Sequence, residues 1–291
     1  MSIRLNRREL IQKGLAGFGA LSLPVALTAC RDDNQDTAGS TLKVQFLHGV
    51  ASGDPLHDRV ILWTRLTPND NAARLEVVWE ISADQDFKQL AASGRVITTA
   101  AQDFTVKVDA DRLQAGTHYY YRFRFGSVIS PVGQTKTLPQ RSDRVKFAVC
   151  SCSNYPAGYF HVYKEMAQES NLDVIIHLGD YIYEYGQGGY ATDEAKQLGR
   201  TFAADNDKEI IKLDDYRKRY ALYRTDADLQ VAHQRHPFIV IWDDYELSND
   251  TWEAGADNHQ EDEGSFIERK LAALQAYFEW MPIRPVAEND H

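Results

Sequence analysis

The chain is poor in cysteine, with only Cys30, Cys150 and Cys152 among its 291 residues. Cys150 and Cys152 would close a very tight ring if bonded to each other, so no disulfide framework is expected. An excess of positive charge is also missing. The formal charge is −10, and the balance is more acidic without the first 30 residues, which carry Arg4, Arg7, Arg8 and Lys13 against Glu9. Such a surface does not hold a nucleic-acid backbone, so no nucleic-acid-binding surface is expected. Long apolar runs are lacking too: the stretch from Gly14 to Ala29 is short and glycine-containing for a membrane span. No repeat or low-complexity tract occurs. What is present, 43% hydrophobic and 11% aromatic residues, is the composition of an ordinary globular chain of about two domains.

Residues 1–30 read as a signal segment. The paired Arg7-Arg8, followed by Lys13 and the apolar run, resembles a twin-arginine export signal, which implies the twin-arginine export machinery as a partner and a periplasmic or cell-envelope location. Leu27-Thr28-Ala29-Cys30 also resembles a lipoprotein processing box, in which Cys30 would carry a lipid anchor; cleavage near Ala29 is the alternative. Residues 31–41 read as a linker.

From 42 to 138 the pattern is β-rich. Val60 to Thr64, Leu75 to Ile81, Gly94 to Thr98, Phe104 to Val108 and Tyr119 to Phe125 are strand-like runs separated by Gly, Pro, Asn and Asp, which predicts a β-sandwich. Leu113 to Tyr119 resembles the approach to a fibronectin-type tyrosine corner. His48 to Pro55 reads as a structural turn, because no helix follows to make its glycines a phosphate grip.

Beyond 145 strands and helices alternate, which signals an α/β domain. Val145 to Val149, Val174 to Leu178 and Phe238 to Trp242 read as buried strands. Gly158 to Ser170, Leu213 to Tyr223, Ala227 to His236 and Phe266 to Met281 read as helices, with Asp226 and Ser265 as N-caps and Pro282 as the final stop. Gly186 to Asp207 is a polar loop long enough to fold over a site.

Each of the three buried strands ends in side chains capable of holding metal. A strand-helix-strand crossover puts strand ends on one edge of a sheet, so Cys152, Asp180 and Asp243-Asp244-Tyr245-Glu246 are expected to converge. Aspartate after a glycine can bridge metals, a phenolate at Tyr183 suits a hard trivalent ion, and a thiolate at Cys152 is a soft ligand. Crowded carboxylates repel unless a cation sits among them. A buried inert Cys152, a packed Tyr183 and a solvated acidic turn remain the plainer readings of each residue alone. A cysteine nucleophile is disfavoured because Ser153-Asn154-Tyr155-Pro156 supplies no phosphate-cradling loop.

Five separated stretches, SCSNYPAGYF, HLGDYIYEYG, DYRKRYALYRTDADLQ, WDDYE and YFEWMPIRP, stand in this order behind HGVASGDP and ILWTR. In this they resemble the alkaline phosphatase D (PhoD) family. The resemblance covers nearly everything from Phe46 to Pro285. It implies an N-terminal fibronectin-III-like β-sandwich at 42–138, then the first part of a metallophosphoesterase α/β domain at 145–291. It further implies an exported phosphomonoesterase or phosphodiesterase acting on phosphate esters with iron (Fe³⁺) and calcium (Ca²⁺). Carried over, Cys152 and Tyr183 are the iron-binding thiolate and phenolate, Asp180 the bridging carboxylate, and Asp244 and Asn249 further metal candidates. Tyr245 stands where the family reads WDDHE and is the candidate proton donor beside the catalytic Asp180. The family's later Gly-Asp-x-His motif has no counterpart, since the Gly-Asp pairs here are Gly53-Asp54 and Gly179-Asp180. The chain therefore resembles the N-terminal part of such an enzyme, which predicts an unpaired strand edge and bare apolar faces. A shortened, non-catalytic envelope protein with a vestigial metal site and a partner-binding sandwich is the competing expectation.

Overall fold

The computed structural model describes residues 42–70 and 74–285. The signal, linker and Cys30 expectations lie outside them. Among the described residues no helix is long and apolar enough to cross a membrane.

The described residues of the first part are mostly β, with one 3-10 turn at Ala100–Gln102. A two-residue strand β1 (Val44–Gln45) is followed by β2 (Val50–Gly53), β3 (Val60–Arg65), β4 (Thr67–Pro68), β5 (Leu75–Ser82) and β6 (Ala92–Thr98). Then come β7 (Thr105–Ala110), β8 (His118–Phe125), β9 (Val128–Ile129) and β10 (Gly133–Lys136). Strands β10, β8, β5 and β6 form one antiparallel sheet, with β9 added to β8. Alternation explains its packing. Along β8, Tyr119, Tyr121 and Phe123 are buried, while Arg122 and Arg124 point outward and both donate to Glu80 of β5. The inward residues join Leu62, Leu75, Val77, Ile81 and Val106 in one apolar cluster, each large side chain contributing about 1.5–3 kcal/mol. The Tyr119 hydroxyl accepts from the Gln114 N–H at 2.8 Å, the backward bond expected near a tyrosine corner.

After Arg144 the chain builds β11 (Phe147–Cys150), α1 (His161–Gln168), β12 (Val174–His177), the short α2 (Ala195–Leu198), α3 (Leu213–Tyr223), α4 (Ala227–Arg235), β13 (Phe238–Val240) and α5 (Phe266–Trp280). Asp226 caps α4 through the N–H groups of Asp228 and Leu229, and Ser265 caps α5, as their sequences predict. Helix α1 is shorter than expected because a 3-10 turn at Tyr155–Ala157, with Pro156 in its first turn, precedes it.

The two parts share one sheet of order β11-β12-β13-β2-β3-β7. The first three strands run parallel; β13 then pairs in parallel with β2, Phe238 opposite Gly53, and β2-β3-β7 continue antiparallel. The stretch expected to be a turn is thus corrected: Val50–Gly53 is a central strand buried along its whole length. Val50 faces the first cluster and Ala51 the second. Gly53 is required there, since a Cβ would lie 2.1 Å from the Pro282 carbonyl oxygen and 2.8 Å from that of Phe238.

The second cluster gathers Trp63, Ile175, Tyr181, Tyr220, Leu229, Phe238 and Trp280. Polar ties fasten it to the first part. The indole N–H of Trp63 donates to the Glu279 carbonyl at 2.8 Å, and Arg217, itself held on the Glu279 carboxylate by two donors at 2.6 and 2.7 Å, donates to the Ala101 carbonyl at 2.6 Å. Arg284 makes the same kind of fork to Asp109, both bonds 3.0 Å, and donates to the Asp54 carbonyl.

Candidate metal centre

The carboxyl ends of β11, β12 and β13 meet at one place. Residues Cys152 and Ser153 bond through their backbone N–H groups to the carbonyls of Gly179 and Asp180, which locks the two strand-end loops together. Gly179, at φ 106°, permits the third loop to close in, because a Cβ would lie 2.4 Å from the Asp243 nitrogen. Cys152 and Asp180 adopt the left-handed region at φ 60° and 56°, a costly conformation for residues other than glycine and one that recurs at functional sites.

Carboxylate oxygens of Asp180, Asp243 and Asp244 lie within 4.8 Å of one another. Asp180 is buried, Asp244 half-buried and Asp243 exposed. The Cys152 thiol and the Tyr183 phenol each donate to Asp180 Oδ2 at 3.3 Å, while Asp180 Oδ1 is buried with no hydrogen-bond partner. Burial, and then the charges of Asp243 and Asp244, push the Asp180 carboxyl upward despite the thiol's bond. Burial and the neighbouring Asp180 carboxylate likewise push the Tyr183 phenol far up. In both, the negative charge that adds to burial is what a cation would offset.

Behind the acids stands Glu246, fully enclosed. Its carboxylate accepts from the backbone N–H groups of Asp180 (3.1 Å), Tyr181 (2.6 Å) and Asp243 (2.9 Å), so one side chain fixes both acidic loops. Burial pushes its pKa up to about 7 even though those three donors pull it down. A second buried acid, Glu184, accepts from the Asn249 N–H at 2.8 Å and from Asn258 Nδ2 at 2.9 Å. Below the site His177 sits against the Tyr163 hydroxyl (2.9 Å) and the Ser153 hydroxyl (3.1 Å), and burial pulls it down to about 4.

The remaining expected residues fall into place differently. Tyr245 stacks on Tyr183 with ring centroids 4.4 Å apart and, with Tyr185 and Tyr190, forms an aromatic wall beside the acids. Burial first, then Tyr185 and Asp244, hold its phenol well above the ordinary range. Asn249 supports the site through its backbone, while its side-chain amide donates to Asp250 rather than to the acid cluster. Sequence reasoning drew Asp243 into the strand-end group but singled out Asp244; the structure brings both to Asp180. Glu246, expected as one more acid of that strand-end group, instead supports both acidic loops from behind, and Glu184 was not singled out.

The donor set fits a metal ion. Asp180, Asp243 and Asp244 supply oxygens, the unpartnered Asp180 Oδ1 is a buried acceptor in want of a positive charge, and the Cys152 and Tyr183 protons occupy positions from which their heavy atoms reach the same carboxylate.

Comparison with known proteins agrees with this architecture. The family model described as "PhoD-like phosphatase" matches residues 147–291, and that described as "PhoD-like phosphatase, N-terminal domain" matches residues 32–139. Alkaline phosphatase D of Bacillus subtilis (strain 168) is 40% identical over 289 residues, covering 96% of this chain and 48% of that protein. A solved structure titled "Structure of PhoD" is 42% identical with a TM-score of 0.75, over 82% of this chain and 46% of that one. The chain thus spans about half the length of the relatives it matches, and by both family models and these two relatives it belongs to the PhoD-like phosphatase family.

Proposed function

We propose that the chain is a phosphoesterase, or the site-bearing half of one, hydrolysing phosphate monoesters and diesters with metal ions held at the β11-β12-β13 edge. The observation that carries this is the buried, unpartnered Asp180 Oδ1 beside Asp243 and Asp244, with Cys152 and Tyr183 on its other oxygen. The thiol and phenol favour Fe³⁺ and the carboxylates Ca²⁺. When bound, such ions neutralise the phosphate oxygens and activate water.

The protein's own groups have separate tasks. Glu246 holds the Asp180 and Asp243 loops at fixed spacing, so the acids need little reorganisation when charge develops. Tyr245 stands beside Tyr183 as the proton donor to a leaving oxygen, a weaker acid than the histidine of WDDHE because burial holds its phenol up. Tyr183, Tyr185 and Tyr190 screen that position from bulk water.

The same reading extends to the chain's setting. We infer that residues 42–138 form a fibronectin-III-like sandwich, supported by the Tyr119 bond to Gln114, and residues 145–291 the first part of a metallophosphoesterase domain. Export by the twin-arginine route to the periplasm or envelope rests on Arg7-Arg8 and the apolar run after it, and a lipid at Cys30 on Leu27-Thr28-Ala29-Cys30.

The test is hydrolysis of bis(p-nitrophenyl) phosphate and p-nitrophenyl phosphate by the full chain loaded with iron and calcium. Chelation is expected to abolish turnover, and Cys152→Ala and Asp243→Asn to lower metal affinity by about 10- to 100-fold. Turnover unaffected by chelators, or metal uptake unaltered in both variants, would defeat the reading.

A further inference from the structure

An arginine keeps its charge on folding, so one taken out of water must be answered by its surroundings. Most of the enclosed and half-enclosed arginines here are. Arg217 holds Glu279 and Arg284 holds Asp109, each through Nε and Nη2, the parallel pair of N–H groups along one edge of the guanidinium. Arg200 pairs with Asp226 at 2.7 Å and Arg269 with Glu209 at 2.8 Å. The donors of Arg219 are spread over the carbonyls of Tyr183, Tyr185, Asn206 and Lys208 and the Asn206 side chain.

Arg224, just past the end of α3, is the exception. It is 0% exposed, its guanidinium lies over the Trp63 ring at 4.4 Å, and its Nη1 donates to the Tyr181 hydroxyl at 3.3 Å. Its Nε and Nη2 have no partner among the described residues. The edge that grips a carboxylate in Arg217 and Arg284 thus meets none here. Asp226, two residues on, is taken up by Arg200 and by the N–H groups that open α4. Further nitrogens in the neighbourhood are unanswered too. The Tyr181 oxygen accepts from Arg224 and gives its proton to His233 Nε2 at 2.9 Å, which leaves the His233 proton on Nδ1, buried and without a partner. His48, edge-on to Trp280 at 5.1 Å, likewise has a buried, unpartnered Nδ1. Burial, then the charges of Arg65 and Arg224, pull His48 down to about 3, and burial followed by Arg224 pulls His233 down, so the local field is positive.

We propose that the Nε–Nη2 edge of Arg224 holds one small monovalent anion, a halide or a two-oxygen ion of nitrate or formate size, taken into the core as the chain folds. Water can accept from the same two groups but brings no charge to offset a guanidinium removed from solvent. Stacking on Trp63 replaces part of the lost hydration, and a parallel N–H pair is at its strongest against a negative acceptor. Complete enclosure limits the ion to a few atoms. The place is also structural: Trp63 comes from β3, His48 from the approach to β2, Arg224 from the end of α3 and Tyr181 from the loop after β12, so the ion ties the β-rich part to the α/β part. The inference is independent of the hydrolytic reading, since neither metal nor substrate enters it.

The experiment unfolds the full chain in urea at constant ionic strength, with sodium bromide or sodium nitrate replacing sodium gluconate. An ion held only by the folded form lowers the unfolding constant about tenfold for each tenfold rise in its concentration above Kd. The parent is expected to show that slope and Arg224→Met to lose it, while Arg95→Met, at an exposed ion pair with Glu76, keeps it. General salt effects act on all three chains alike and cancel in the comparison. A slope that sets in at lower nitrate than bromide assigns a two-oxygen ion, and the reverse a halide. If Arg224→Met does not fold, crystals of the parent grown in each salt decide, with anomalous bromide density or a planar nitrate expected within hydrogen-bonding distance of Arg224 Nε and Nη2. Two results overturn the proposal: a parent whose anion dependence is no greater than that of Arg224→Met, or crystals in which that edge meets water alone under both salts.

Discussion

Replacing Gly53 by alanine tests whether the β-rich part and the α/β part are one sheet. The new methyl group would sit 2.1 Å from the Pro282 oxygen and 2.8 Å from the Phe238 oxygen, against about 3.4 Å for an ordinary carbon–oxygen contact. Both obstacles are backbone, so no side chain can swing aside. Relief requires β2 to draw away from β13 by roughly 1 Å, which breaks the Asp54 N–H bond to the Phe238 carbonyl, now 3.0 Å. That bond is worth about 1 kcal/mol, and forced overpacking about 1–3 kcal/mol. The expected loss is thus about 3 kcal/mol, or about 1 M in the urea midpoint. Tryptophan fluorescence is the natural probe because Trp63 and Trp280 are fully buried in the adjoining cluster. Gly158→Ala, where a Cβ meets nothing within 4 Å, is the control and should stay within about 0.5 kcal/mol of the parent. A Gly53→Ala chain as stable as that control would refute the shared sheet.

Acid should weaken the fold through His177. Its pKa falls from 6.5 to about 4 on folding, so between those values the native state binds fewer protons than the unfolded chain. Stability is then full above pH 6.5 and drains away as pH falls toward 4, by about 3 kcal/mol, and His177→Gln should flatten that part of a pH-resolved urea series. Glu246→Gln keeps the shape but removes a charged acceptor from three backbone donors; metal affinity measured by calorimetry should fall about 10-fold or more, and unchanged affinity would count against its positioning role. Changing Arg7 and Arg8 together to lysine should leave the protein on the cytoplasmic side in cell fractionation, and export at the parental level would remove the twin-arginine proposal.

The strands that alternate, such as Leu75–Ser82 and His118–Phe125, and the capped helices after Asp226 and Ser265 were readable because local pattern and tertiary burial agree there. Val50–Gly53 was not. Its sequence, Val-Ala-Ser-Gly, looks like a turn because neighbours approach so closely from both sides that only small residues fit, and those neighbours come from distant parts of the chain. The candidate site shows the same division. The rule that parallel strands deliver ligands at their ends placed Cys152, Asp180 and the Asp243-Asp244 pair together, although β11 and β13 are not the buried strands expected: Phe147, Val149 and Ile239 lie exposed on one face. Spacing does not say which way adjacent side chains turn, so it does not distinguish Asp243 from Asp244, both of which the fold brings to Asp180. Supports such as Glu246 depend on backbone donors from two separate loops, a relation no linear spacing encodes.

The join between β13 and β2 also sets a timetable for synthesis. Strand β2 leaves the ribosome early, with one edge held by β3 and the other open until Phe238 arrives long afterwards. The end of β2 at Gly53 therefore lacks its parallel neighbour through the translation of everything up to β13, while its pairing with β3 can already form. Completion of the shared sheet is thus a late step, governed by contacts between distant parts of the chain. A ribosome pause or nonsense product anywhere between Lys136 and Phe238 would release a species in which that edge is unguarded, and such fragments are the ones to look for among the protein's aggregates.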